Sequence, residues 1–89
     1  MIKRELNIVN KLGLHARAAA KFVNTASRFG AEIHLERGTQ RVNGKSIMGV
    51  MMLAAARGTT LLLSTEGEDE TAAADALEAL VGNRFGESE

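Results

Sequence analysis

One stretch of the chain limits its possible folds more than any other. Residues 60–65 form an unbroken run of β-type residues with three consecutive leucines. The run is bounded by Gly58 and Gly67, which mark its ends. Because it lacks the strict apolar and polar alternation of a half-exposed strand, it is typical of a sheet interior. The sequence therefore predicts a buried, central strand at this point.

Three other segments predict strands with one buried face. Apolar side chains recur at period two in residues 2–9. Residues 32–36 alternate cleanly, residues 37–39 provide a turn, and residues 40–42 return in the opposite direction. One isolated strand and one hairpin therefore accompany the central strand.

Three segments have the spacing of an amphipathic helix. They are expected over residues 16–28, from Ser46 to before Gly58, and from Asp69 to Gly82. Ser46 and Asp69 are residue types that favour the N-cap position. Gly30 is expected to form the C-terminal cap of the first helix.

The predicted order of elements is β-α-β-β-α-β-α. Helices that each bury one apolar stripe against a single small sheet define two layers. We predict an α+β fold, a two-layer open-faced sandwich with three helices on one face of a four-stranded antiparallel sheet. With 89 residues the chain can form only one core, so residues 1–89 are predicted to be a single domain. Residues 84–89 are expected to form a polar, frayed tail.

Composition argues against several classes of protein. Hydrophobic residues make up 45% of the chain and charged residues 25%, which is too apolar for a disordered chain. There is no cysteine, no apolar run of membrane-spanning length and no secretion-signal pattern, so we expect a cytoplasmic protein without membrane insertion. The aromatic content of 3% argues against a surface that stacks on nucleic-acid bases.

Charge is unevenly distributed although the formal net charge is zero. Residues 1–57 contain ten lysines or arginines and three glutamates, whereas residues 58–89 contain one arginine and eight acidic residues. If the basic half forms a face, it should attract a phosphate or an acidic partner in a salt-dependent manner.

One histidine stands where the first helix is expected to begin. His15 lies two residues after Gly13 and two residues before Arg17. The N–H groups at a helix N-terminus favour an anion and disfavour a protonated imidazole, so we expect a neutral, nucleophilic ring. Once the ring carries a phosphoryl group, the same N–H groups and Arg17 can hold its oxygens. Position alone is also compatible with an ordinary capping or surface histidine.

Two stretches of the chain resemble the signatures of one family. Residues 13–19, Gly-Leu-His-Ala-Arg-Ala-Ala, are similar to the active-site signature of HPr, the histidine-containing phosphocarrier of the bacterial phosphoenolpyruvate:sugar phosphotransferase system. Residues 41–48, Arg-Val-Asn-Gly-Lys-Ser-Ile-Met, are similar to the regulatory serine signature of that family, at the family's spacing. The resemblance extends over nearly all of the chain without an insertion.

The resemblance implies a role for three residues. His15 matches the histidine that takes a phosphoryl group from enzyme I on Nδ1 and passes it to enzyme IIA proteins. Arg17 matches the arginine that orients and neutralises this group. Ser46 matches the serine that HPr kinase/phosphorylase modifies in many bacteria. The resemblance thus implies a phosphohistidine carrier rather than an enzyme with its own turnover.

The chain departs from the family pattern at one position. Ala18 stands where the family usually has a proline, so the first helical turn is less rigid but sterically unobstructed. We expect the carrier function to survive this change. Whether the chain serves a sugar branch, a nitrogen-linked branch or a purely regulatory branch stays open.

The second helix predicts a docking surface, because apolar residues surround it and so short a helix cannot bury all of them. Spacing places Val50 and Leu53 inward, whereas Met52 is compatible with either the surface or the core. A basic rim that includes Arg17 and Arg28 is expected to steer partners. The expected partner-binding residues are Leu14, Lys21, Lys45, Ile47, Met48, Met51 and Met52.

Ser46 is expected to serve two purposes. As an N-cap it stabilises the second helix by about 1 kcal/mol. A phosphate on this residue would be stabilised by the helix dipole, and it would place about two negative charges beside the docking surface. Modification should therefore weaken binding of an acidic partner without unfolding the domain.

No metal or cofactor site is predicted. His34 falls on the outward phase of its strand, and the acidic residues 66–70 lack the ligand spacing of a calcium loop. There is also no phosphate-binding loop or dinucleotide fingerprint. We expect a monomer whose partners are proteins. A regulatory module in which His15 is idle, and a nucleic-acid binder that uses the basic half, stay open as alternatives.

Overall fold

The structure is a computed structural model that describes residues 1–89. Its elements are β1 (Ile2–Asn7), α1 (Ala16–Ala26), β2 (Glu32–Arg37), β3 (Gln40–Asn43), α2 (Ile47–Met52), β4 (Thr60–Glu66), α3 (Glu70–Gly82) and a final 3-10 turn (Arg84–Gly86). The predicted order β-α-β-β-α-β-α is confirmed. The helix ends differ from the prediction, since α1 ends before Ser27 and α2 ends well before Gly58.

The sheet has the strand order β1-β4-β2-β3, and every neighbouring pair is antiparallel. β4 lies in the interior, as its run of leucines predicted. Leu61 pairs with Leu6 of β1, and Leu63 pairs with Leu35 of β2. All four side chains are buried. The central strand is thus fixed by apolar neighbours on both edges.

One core fills the space between the sheet and the three helices. It includes residues from every helix and from three strands: Leu6, Ile33, Leu35, Leu61 and Leu63 of the sheet and Ala19, Phe22, Val50, Ala74 and Leu77 of the helices. The other face of the sheet carries polar side chains such as Lys3, Glu5 and His34. The predicted open-faced sandwich is therefore confirmed. None of the helices has the length and hydropathy needed to cross a membrane.

The Asp69 side chain binds the loop after α1 and does not cap α3, the helix that follows it. It occupies the N-cap position of α3, but its side chain makes no capping hydrogen bond there. Instead its two carboxylate oxygens accept hydrogen bonds from the backbone N–H groups of Gly30 and Ala31, each at 2.9 Å. Gly30 is not in the left-handed conformation of a C-terminal cap, which corrects that expectation. α1 ends at Ala26, so Gly30 lies in the following loop, where the Asp69 carboxylate binds the backbone.

The C-terminal segment differs from the polar, frayed tail that we expected. Residues 84–86 form the 3-10 turn, and Phe85 is only 1% exposed within the core. The backbone carbonyl of Phe85 accepts a hydrogen bond from Lys21 Nζ at 2.7 Å. A single apolar residue after a helix has no periodicity, so the pattern gave no sign of this anchor. The anchor brings the last residues of the chain to the start of α1.

The hairpin of β2 and β3 holds the C-terminal end of α2. The Arg37 guanidinium donates to the carbonyls of Leu53 and Ala54 at 2.8 and 3.0 Å. A cation at this end of a helix satisfies carbonyls that have no partner within the helix. Because six residues are too few for a stable isolated helix, α2 depends on contacts of this kind.

Candidate functional site

His15 is the N-cap residue of α1. Its backbone is extended, with φ −71° and ψ 175°, and its carbonyl accepts the first helical hydrogen bond from Ala19. Its imidazole makes no capping hydrogen bond and is 27% exposed. The imidazole therefore leaves the free N–H groups at the start of the helix without a side-chain cap. This placement fits a site where an anion is to be held.

A glycine fixes the loop that leads to His15. Gly13 has φ +69°, and a Cβ atom built on it would lie 2.5 Å from the carbonyl oxygen of Ala55. The next residue, Leu14, donates its N–H to that same oxygen at 2.9 Å. Gly13 is therefore required both for its dihedral angle and for the close approach of two backbones. The loop that leads to His15 is therefore tight.

A carboxylate that sequence reasoning missed contacts the imidazole. Glu87 Oε2 is hydrogen-bonded to His15 Nε2, and Glu87 Oε1 accepts from Asn10 Nδ2 at 3.0 Å. Asn10 is fully buried and also donates to the carbonyl of Gly13 at 2.8 Å. The hydrogen bond from Asn10, and to a smaller extent the contact with His15, lower the pKa of Glu87. Glu87 is therefore a carboxylate at neutral pH.

His15 and Arg17 lie at one open depression of about 570 Å³. The depression is lined by Lys11, Leu12, His15, Ala16, Arg17, Glu87, Ser88 and Glu89. Arg17 is exposed. The structure thus brings together the two residues that the sequence singled out, and it adds the C-terminal carboxylates to their surroundings.

Ser46 is the N-cap of α2. Its backbone is extended, and its Oγ accepts a hydrogen bond from the N–H of Gly49 at 3.1 Å. The predicted capping role is confirmed. A Cβ atom on Gly49 would contact Val42 and Ser46 of this same chain, so this glycine accommodates internal packing.

α2 exposes four apolar side chains, three of which were predicted from the spacing, which left Met52 open. They are Ile47, Met48, Met51 and Met52, which we call the α2 patch. Met48 is 73% exposed, whereas Val50 and Leu53 are buried, so the assignment of the inward residues is also confirmed. Met52 belongs to the surface rather than the core.

Three of the expected partner-binding residues have internal roles. Leu14 is buried in the core, because the Gly13 loop turns its side chain inward, and this corrects its expected place on the surface. Lys21 Nζ is bonded to the carbonyl of Phe85, and Lys45 Nζ donates to the carbonyl of Phe29 at 2.7 Å. Both lysines are half-buried and tie separate segments together. Arg17 and Arg28 of the expected basic rim are exposed.

The fold and the site together define a small α+β protein that presents a histidine and an arginine at a helix N-terminus. Residues 2–83 match the family model described as the PTS HPr component phosphorylation site. The chain is 55% identical to the phosphocarrier protein HPr of Neisseria meningitidis, and the match covers all of both chains. This chain belongs to the HPr family of phosphocarrier proteins.

Solved structures agree with this assignment. The crystal structure of an HPr from Thermoanaerobacter tengcongensis superposes with a TM-score of 0.96 at 47% identity, and all of both chains are covered. A crystal structure of an HPr dimer from the same organism gives a TM-score of 0.79 at 48% identity, covering 98% of this chain and 100% of the other. The relatives therefore share the fold along its whole length.

Proposed function

We propose that this protein carries a phosphoryl group on His15, which it accepts from enzyme I in the cytoplasm and passes to enzyme IIA proteins. The phosphoryl group would come ultimately from phosphoenolpyruvate. The observation that supports this most directly is that His15 and Arg17, at the start of α1, both line one open depression. The protein would be a transfer intermediate and would not turn over a substrate alone.

The chemistry of the carrier step follows from the helix N-terminus. The lone pair of an imidazole nitrogen attacks phosphorus, and the bond from phosphorus to the donor breaks with its electron pair going to the donor. The phosphoryl oxygens are then held by the N–H groups of the first turn and by Arg17, whose planar guanidinium suits such a group. Since these groups stabilise the charged product without burying it, transfer to an acceptor stays possible.

The α2 patch supplies the docking surface in this proposal. Methionine side chains adapt to differently shaped partners, which suits a carrier that meets a donor and several acceptors in turn. The exposed Arg17 and Arg28 would steer acidic partners to this side of the molecule. The complexes should be small and short-lived, because a carrier must be released after each transfer.

Ser46 is proposed as a regulatory phosphorylation site for HPr kinase/phosphorylase. Its Oγ lies at the N-terminus of α2, directly before the α2 patch. A phosphate there would add about two negative charges next to an apolar docking surface. The expected consequence is weaker binding of acidic partners while the fold is retained.

A reconstituted transfer assay tests the carrier role. His15→Ala should abolish acid-labile labelling from phosphoenolpyruvate and enzyme I, whereas His34→Ala, which alters the other histidine of the chain, should leave it unchanged. Sugar-type and nitrogen-type enzyme IIA acceptors run side by side would identify the branch. If His15→Ala is labelled like the wild type, or neither histidine is labelled, the carrier role is wrong and the regulatory module becomes the better reading.

We also propose that the carrier acts as a monomer. A shuttle has to present His15 and the α2 patch to each partner, and self-association through the apolar patch would cover it. Light scattering across a concentration series should give the mass of one chain, 9.5 kDa. A stable mass of twice that value would contradict this part of the proposal.

A further inference from the structure

The His15 ring is held at one nitrogen by a carboxylate that is itself firmly anchored. Glu87 uses one oxygen for His15 Nε2 and the other for Asn10 Nδ2. Its side chain is only 16% exposed, and Asn10 is fully buried. Asn10 is fixed in turn by the carbonyl of Gly13, in the loop that leads to His15. The contacts therefore run from the His15 ring through Glu87 and Asn10 back to the loop that precedes His15.

We propose that Glu87 is a positioning residue that determines which nitrogen of His15 accepts the phosphoryl group. A carboxylate oxygen can only accept, so the nitrogen it contacts must carry the hydrogen. With the proton on Nε2, the lone pair of a neutral ring lies on Nδ1. This inference rests on the proposed function, and it assigns the selectivity of the acceptor to a residue at the other end of the sequence.

Glu87 would also stabilise the charge that the reaction creates. As the P–Nδ1 bond forms, the bond from phosphorus to the donor's leaving atom breaks, and the donor keeps the electron pair. Nε2 retains its proton, so positive charge spreads over both ring nitrogens. The carboxylate at Nε2–H balances this charge from the side opposite the phosphoryl group. In the reverse step Nδ1 recovers its lone pair and the ring returns to its starting state.

A neighbouring glutamate provides a matched control. Glu89 lies two residues further along, and its carboxylate is 3.7 Å from Lys11 Nζ. Both Glu87→Ala and Glu89→Ala remove one negative charge from the segment that lines the depression. Only Glu87→Ala removes a contact to the ring. A difference between the two variants therefore reports the contacts of Glu87 with the ring and with Asn10 rather than the overall charge.

The test uses phosphoramidate as a small phosphoryl donor, so no partner protein is needed. Phosphorus and nitrogen NMR of ¹⁵N-labelled protein distinguish the two phosphohistidine isomers. We expect the wild type and Glu89→Ala to give the Nδ1 product, and Glu87→Ala to give a mixture of the Nδ1 and Nε2 products. Before phosphorylation, the Nε2–H proton of His15 should be observable in the wild type and lost in Glu87→Ala.

Two outcomes would overturn the proposal. One is a Glu87→Ala variant that is folded by circular dichroism and still reacts only at Nδ1. The other is a wild-type protein that reacts mainly at Nε2. Neither outcome depends on enzyme I, so a failure of the proposed carrier function in the reconstituted assay is a separate result. A selectivity that changes with Glu87 supports the positioning role whichever partners the protein has.

Discussion

The start of α1 and the α2 patch, the proposed sites of chemistry and of docking, are built in different ways. At the start of α1, Gly13 has a left-handed backbone and fits against another backbone segment, and the His15 ring is held through a side-chain hydrogen bond. Along α2, the patch consists of apolar side chains that are 40–73% exposed. A site for chemistry thus depends on geometry, whereas a site for docking depends on surface character and tolerates change.

The largest effect should come from the backbone at the start of α1. Gly13→Ala forces an unfavourable dihedral angle and a clash with Ala55, so it should lower the free energy of unfolding by about 3 kcal/mol and disrupt charging of His15. Gly38→Ala is the control, because Gly38 has φ +60° but open space around it, and should cost about 1 kcal/mol. Urea denaturation of both variants measures this. Equal losses would mean that the close approach at Gly13 contributes nothing.

A smaller effect should separate the two faces of α2. Val50→Ala removes buried side-chain volume and should lower the free energy of unfolding by about 2 kcal/mol. Met48→Ala should change stability by less than about 0.5 kcal/mol and slow phosphoryl transfer several-fold, because it removes exposed docking surface. Stability and transfer rate are measured on both variants. If Met48→Ala transfers at the wild-type rate, this residue is not part of the docking surface.

Charge at the start of α2 should change function while leaving stability nearly constant. Ser46→Asp keeps an acceptor for the Gly49 N–H and adds a negative charge that the helix N-terminus favours. Its melting temperature should stay close to that of the wild type while charging of His15 slows. Thr71→Asp, at an exposed position in the first turn of α3, adds the same charge on another helix and should charge normally. A large loss of stability in Ser46→Asp with normal charging would contradict the docking role.

The smallest effect is the pH dependence of the Glu87 contact. The pKa of Glu87 is lowered in the folded protein, mainly by the hydrogen bond from Asn10, relative to about 4.3 in an unfolded chain. Its contribution to stability is therefore fully present above the unfolded value and is lost as the pH falls through the lower folded value. The Asn10 side-chain amide signals should stay constant above about pH 5 and shift only in acid. A midpoint at or above the ordinary glutamate value would contradict this, and Glu87→Gln should show no transition.

Much of the fold could be predicted because local periodicity reflects burial. The leucine run of β4 indicated an interior strand, and the spacing of Val50 and Leu53 indicated the inward face of α2. Gly13 and Ser46 were also recognisable, since each satisfies a local backbone requirement. Patterns within single elements were therefore sufficient to predict the two layers, the order of the elements and the residues at the starts of α1 and α2.

Contacts between distant segments could not be predicted in this way. Glu87 meets His15 across 72 positions of sequence, and Asp69 meets Gly30 across 39. Leu14, in a loop, and Phe85, in the final 3-10 turn, are buried although neither belongs to a periodic pattern. These residues depend on how the finished elements are arranged, so a single sequence gives no local signal for them.

The hydrogen bonds from Arg37 to the carbonyls of Leu53 and Ala54, directly after α2, have a consequence for motion. α2 has only six residues, and side-chain hydrogen bonds from a neighbouring hairpin hold its end. Such a short helix can unfold locally while the strands of the sheet stay paired. Hydrogen exchange in the native protein should therefore release the amides of residues 50–53 well before those of β4. The proposed docking surface would then adjust its shape to a partner protein, while the proposed phosphorylation site at the start of α1 keeps a fixed geometry.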